Sequence, residues 1–247
     1  DLLYHLMVHA FDSKKDDASG FIIVGGDQTI DLPIVYAAND FVSKHDSHLL
    51  HIVFDSEINI NEEVSTIDNT NIFTNIDKNI FNLPLINQFE QSQMIFIGHH
   101  DSPHAYNLSN LSMKKVKLFG KTTPNILMDM IKDYRTAKGI DHDSLIIHIS
   151  IDANVFKHNV APSVLNIDDK ENKIERDGLE LDMVLDILKA LKEEYLVLSM
   201  SVSEFDPSYG NDQDNRKTVE VMRQCMIKTF DIKENKMNIV NDDTQFI

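Results

Sequence analysis

Short apolar runs alternate with amphipathic stretches along most of the chain, and the two kinds of segment differ in period. The runs Phe21 to Val24, Leu49 to Phe54, Met94 to Ile97, Val116 to Phe119, Leu145 to Ile151 and Leu196 to Met200 are rich in Ile, Val, Leu and Phe. Such runs suit strands buried on both faces, which is the condition of a parallel sheet. Between them, Leu32 to Val42, Pro124 to Thr136, Leu179 to Leu191 and Arg216 to Phe230 place apolar residues three and four apart, as one face of a helix does. Pro33 lies just inside the first of these and Thr123 with Pro124 opens the second, both of them helix-start signals. Alternating strands and helices predict an α/β protein: a three-layer α/β/α sandwich with a doubly wound, mainly parallel sheet. The stretch from Ile60 to Asn82 is dense in Asn, Asp and Thr and lacks a period, which predicts a long loop. The Asn-Leu-Ser triplets at Asn107 and Asn110 read as loop as well.

Composition narrows the picture. A chain of 247 residues, 42% of them hydrophobic, can bury one sizeable core, and no repeat or linker divides it, so one domain is predicted over residues 1–247. The net charge of −17 argues against nucleic acid or an anionic membrane surface as a partner, because either would be repelled; a basic protein surface would not. No run approaches the roughly 18 apolar residues of a membrane span, so a soluble chain without a transmembrane segment is expected. The start at Asp1 rather than Met fits either a removed leader or a truncated sequence. The single cysteine, Cys225, excludes an internal disulfide framework and sits in a helical apolar pattern that predicts core packing.

Candidate chemistry gathers where apolar runs end. Three such places are Val24-Gly25-Gly26-Asp27-Gln28-Thr29-Ile30, Phe54-Asp55-Ser56-Glu57-Ile58-Asn59-Ile60 and Ser150-Ile151-Asp152-Ala153-Asn154. Open α/β sheets bind ligands outside the carboxyl ends of their strands. In this order the segments resemble the three signatures of the arginase/agmatinase (ureohydrolase) family, which read Gly-Gly-Asp-His-Ser, Asp-Ala-His-x-Asp and Ser-x-Asp-x-Asp. Pro162, Asp177-Gly178-Leu179 opening a helix, and Glu204-Phe205-Asp206-Pro207 after a strand extend the resemblance over roughly Phe21 to Phe230, with the N-terminal part shortened.

The resemblance implies a two-manganese hydrolase site, and the residues at the matching positions depart from it. The family's first histidine ligand falls on Gln28, its Asp-x-His-x-Asp ligands on Asp55, Glu57 and Asn59, and its last two aspartates on Asp152 and Asn154. Four carboxylates and two imidazoles have become three carboxylates and three amides. Two divalent ions about 3.5 Å apart repel by roughly 20 kcal/mol at an effective dielectric of about 20, and ligand carboxylates must offset that repulsion. Fewer negative ligands and no imidazole predict the loss of at least one ion, while Gln28, Asn59 and Asn154 can hydrogen-bond to the remaining acids. The family's loop histidine is missing too, since none occurs between His51 and His99. Asn61 and Glu204 match positions that contact substrate and suggest a remnant pocket.

These departures predict a catalytically inactive ureohydrolase-like protein, a pseudoenzyme with no catalytic residues and no cofactor. It would serve as a structural or regulatory subunit among other protein subunits, ureohydrolase-like homologues included, because family members form trimers or hexamers. The alternative is a metal-dependent hydrolase of a guanidino or amidino substrate with an altered site, where Mg²⁺ or Ca²⁺ suits the residual all-oxygen donors. A mitochondrial location is expected if a leader was removed, with the cytoplasm as the alternative. His99, His100 and His104 lack the spacing of a metal site, and His148 reads as a packed, hydrogen-bonded core residue.

Overall fold

A computed structural model describes residues 2–13, 20–57, 83–100, 109–164 and 176–232. In chain order its elements are α1 (Leu2–Asp12), β1 (Phe21–Val24), α2 (Asp31–Ser43), β2 (His48–Phe54), β3 (Met94–Ile97), β4 (Ser109–Leu111), α3 (Met113–Phe119), α4 (Thr123–Lys138), β5 (Leu145–Asp152), α5 (Leu181–Glu194), β6 (Leu196–Ser203) and α6 (Asp212–Phe230). The six strands form one sheet in the order β1-β6-β5-β2-β3-β4, and every pairing is parallel. Among the described residues no helix is long and apolar enough to cross a membrane.

Strand alternation splits the core in two. Leu49, Val53, Phe96 and Ile146 face one side and pack with α1 and α2; Leu50, Ile52, Phe54, Ile147, Ile149 and Ile151 face the other and pack beneath α4, α5 and α6. This is the three-layer sandwich. α2 is buried over almost its whole circumference because α1 covers its outer side, with the Tyr4 hydroxyl donating to Asp40 Oδ2 at 2.6 Å. Tyr4, Met7 and Phe11 are the buried face of α1, at a helical spacing that the short N-terminal stretch hid.

Three expectations need correction. Val116 to Phe119 is helix rather than strand: Val116 is buried and Leu118 is 77% exposed, as one face of α3 requires, and a run this short has no decisive period. Asn110 lies in β4, an edge strand too short and too polar to announce itself, rather than in a loop. The helix placed at Leu179 begins at Leu181. The predicted loop from Ile60 to Asn82 and residues Asn107 and His104 lie outside the described residues. Cys225 and His148 are buried, as their patterns predict.

The order of the strands fixes where ligands can be held. From β2 the chain moves outward to β3, and from β5 it moves the opposite way to β6, while β2 and β5 are themselves paired. Chain departing in opposite directions from neighbouring strands leaves a crevice at their carboxyl ends, the usual binding place in such sheets.

Candidate functional site

That crevice collects four of the predicted positions. Gly25 N–H donates to Val202 O at 3.0 Å as β1 ends, and the following 3₁₀ turn, Gln28–Ile30, carries Gln28 into the interior, where it is 1% exposed. Its Nε2 donates to Asp55 Oδ2 at 2.7 Å. Asp55 leaves β2 with its backbone N–H bonded to Ile97 O, and its Oδ1 accepts from Glu57 N–H at 2.9 Å. Across the β2–β5 pairing, Asp152 Oδ1 accepts from Asn154 N–H at 2.8 Å, and Asn154 Oδ1 accepts from Ser56 N–H at 2.9 Å. The Asn154 side chain also hydrogen-bonds to Asp55. Amides therefore tie together the ends of β1, β2 and β5.

Glu57 departs from expectation. Its side chain is exposed, and only its backbone N–H joins the cluster. Asn59 and Asn61 lie outside the described residues. Glu204 follows β6 with φ +62°, a left-handed conformation that non-glycine residues rarely hold, and its N–H donates to Gly26 O at 2.7 Å. Such strain concentrates at functional sites.

Electrostatics follow from burial. Asp55 is pushed up to about 7, chiefly by loss of water, against the pull of bonds from Glu57 N–H, Gln28 and Asn154. Asp152 is raised well above the ordinary carboxylate range by burial and then by the charges of Asp55, Glu204 and Asp31. Asp31, the first residue of α2, is raised to about 6 by burial although Ser201 and Ser150 hydrogen-bond to it. Its Oδ2 is buried without a hydrogen-bond partner.

Beneath the acids runs a polar chain that sequence reading left unassembled. Ser201 Oγ bonds Asp31 Oδ1 and, at 2.9 Å, Ser150 Oγ; Ser150 reaches His51 Nε2 at 2.6 Å and His148 Nε2 at 3.3 Å; His148 Nδ1 meets Ser199 Oγ at 2.8 Å. The His51 and His148 rings lie tilted at 41° to each other with centroids 4.8 Å apart. A signal was available: His51 on β2 with Asp55 just past its end, His148, Ser150 and Asp152 on β5, and Ser199, Ser201 and Ser203 on β6 recur at even spacings, a polar stripe along runs otherwise rich in apolar residues.

The sequence pattern of the arginase family matches residues 5–230. The chain belongs to the arginase family. A search of the curated proteins by sequence finds no match. Among solved structures, this arginase-family chain is similar in fold to the arginase of Bacillus cereus, with a TM-score of 0.66 and 17% identity over 92% of this chain and 76% of that one. It is also similar to the Entamoeba histolytica arginase in complex with L-ornithine, with a TM-score of 0.67 and 14% identity over 93% and 77% of the respective chains. The formimidoylglutamase of Bacillus subtilis gives a TM-score of 0.61 at 19% identity over 91% and 66%.

A manganese pair does not suit the donors present. Gln28 turns an N–H toward Asp55, and an N–H has no lone pair to offer a metal ion. Asn154 Oδ1 is engaged by a backbone N–H, and Glu57 lies outside the buried cluster. Among the described residues, no three His, Cys, Asp or Glu side chains are grouped so that they could hold a metal ion.

Proposed function

We propose that this chain is a catalytically inactive ureohydrolase-like protein serving as a structural or regulatory subunit of a larger protein assembly. The observation that carries the proposal is the 2.7 Å bond from Gln28 Nε2 to Asp55 Oδ2. A ligand position would aim a lone pair at the centre of the site; this one aims a proton at a carboxylate, so the pair satisfies itself. Asn154 braces β5 against β2 as an acceptor, its Oδ1 taking the Ser56 N–H, and its side chain also bonds Asp55. With imidazole gone and amides holding the acids, the cluster lacks the means to generate a hydroxide at neutral pH, which is the task of a metal pair. What stays is a cross-linked set of strand ends in an otherwise intact fold. The acidic balance of −17 favours basic faces on the protein subunits it joins.

One observation supports a second reading. After burial, the charges of Asp55, Glu204 and Asp31 raise the Asp152 carboxyl, and a hard cation such as Mg²⁺ or Ca²⁺, as an altered metal-dependent hydrolase would require, would relieve that repulsion, although as they stand no three of these side chains are grouped to hold an ion. Two measurements decide between the readings. The subunit proposal expects the endogenous protein to migrate in native mass spectrometry with a defined partner, and to release no urea from arginine or agmatine with or without added divalent ions. A freely diffusing monomer, or turnover that rises with Mg²⁺ or Mn²⁺, overturns it.

A further inference from the structure

In a chain with 40 Asp and Glu among 247 residues, the stretch from Ser102 to Met128 contains neither and carries Lys114, Lys115, Lys117 and Lys121. These lysines stand on α3 and on the 3₁₀ turn Gly120–Thr122 that follows it. α3 turns Met113 and Val116 into the core, so its other side faces outward: Lys114, Lys115 and Leu118 along the helix and Lys121 on the turn beyond are all exposed. Spacings of four and three residues set Lys114, Leu118 and Lys121 in one row of about 10 Å, with Lys115 beside it. Leu118 is 77% exposed, more than any other large apolar side chain among the described residues.

Lys117 pairs with Asp177, whereas Lys114, Lys115 and Lys121 form no ion pair among the described residues. A leucine held in water with three unpaired ammonium groups around it is complementary to a surface that offers carboxylates and an apolar contact together. The length of the row decides which polyanion fits. Nucleic acid or an anionic membrane carries its charge far beyond 10 Å, so its other phosphates would lie against the acids of a chain whose net charge is −17. A protein segment can match the row alone, and salt screens the acids that lie farther off than a Debye length of about 8–10 Å. Elsewhere the acidic surface suits basic neighbours; on α3 it suits an acidic one.

We propose that the outer face of α3 docks an acidic segment of a partner protein, whose carboxylates pair with Lys114, Lys115 and Lys121 while an apolar side chain covers Leu118. Such docking rests on the subunit role proposed for the chain and specifies what its neighbour presents there. The full chain, isolated with its partner from its own cells under native conditions, is treated with a carbodiimide, which joins an amine to a carboxylate in direct contact, and the joined peptides are identified by mass spectrometry. Amide links from Lys114, Lys115 or Lys121 to Asp or Glu of the partner are expected. The combined Lys114→Glu, Lys115→Glu and Lys121→Glu variant, altered only at exposed positions, should recover about tenfold less partner or lower still, and Leu118→Asp should also recover less. Lys132→Glu with Lys217→Glu, exposed on α4 and α6, should leave recovery unchanged. A partner that stays on the triple variant, including the case in which that variant loses RNA or lipid instead, or a partner joined only through other lysines, overturns the docking and leaves the subunit role standing. A chain found with no partner overturns both.

Discussion

Replacing Gln28 by alanine isolates the bond on which the functional proposal rests. The side chain is 1% exposed and donates at 2.7 Å to the buried Asp55. Hydrogen bonds to charged groups contribute roughly 1.5–3 kcal/mol, and the truncation also leaves a cavity beside a buried carboxylate oxygen. A loss of about 2–4 kcal/mol is expected, which for a chain of this size lowers the melting temperature by roughly 5–15 °C. The loss should also depend on pH. The Gln28 bond holds the Asp55 carboxyl down, so Gln28→Ala should raise it further above its value of about 7. A carboxyl raised on folding contributes stability that is fully present below its unfolded value and is lost as pH rises through the folded one. The variant should therefore be closest to wild type near pH 5 and fall behind as pH passes 7. Denaturant unfolding and thermal melts at pH 5, 7 and 8 would measure this. A variant within about 0.5 kcal/mol of wild type at every pH, the range of ordinary surface changes, would refute the reasoning, because Gln28 would then be a bystander rather than the brace of the strand ends.

Other outcomes follow from the same geometry. Purified chain dialysed against Mn²⁺ should retain no manganese pair; two bound equivalents by elemental analysis would contradict the donor argument. Gln28→His, Glu57→His, Asn59→Asp and Asn154→Asp together should restore Mn²⁺ binding in calorimetry without full activity, and a folded quadruple variant that binds none would show that the backbone geometry has drifted. Burial lowers His51 well below its ordinary value and His148 to about 3, so their contribution is whole above about pH 6.5 and is lost as pH falls toward 3, at up to ~1.4 kcal/mol per pH unit for each. An acid unfolding profile unchanged by His148→Asn would refute this, because His148 would then take up its proton as readily in the folded chain as in the unfolded one.

The sequence by itself determined the class of fold and the place of the site, because both depend on short-range pattern. Apolar runs such as Leu49 to Phe54 and Leu145 to Ile151 are buried on both faces in any α/β sandwich, and Gly25, Asp55 and Asp152 stand where those runs end. Local pattern was insufficient where the run was short or polar, hence the misread strand at Val116 to Phe119 and the unseen β4. Tertiary structure alone decided which polar groups meet. Gln28 and Asp55 join because β1 and β2 end at one crevice with β6 and β5 between them, and no periodicity states that Gln28 turns a donor inward while Glu57 turns out to solvent. The same holds for Asp31, Ser201, Ser150 and the two histidines, which come from four elements and become a chain only through parallel register. Hydrophobic period is a property of neighbours along the chain; hydrogen bonding and charge depend on neighbours in space, and the strand order is what converts one into the other.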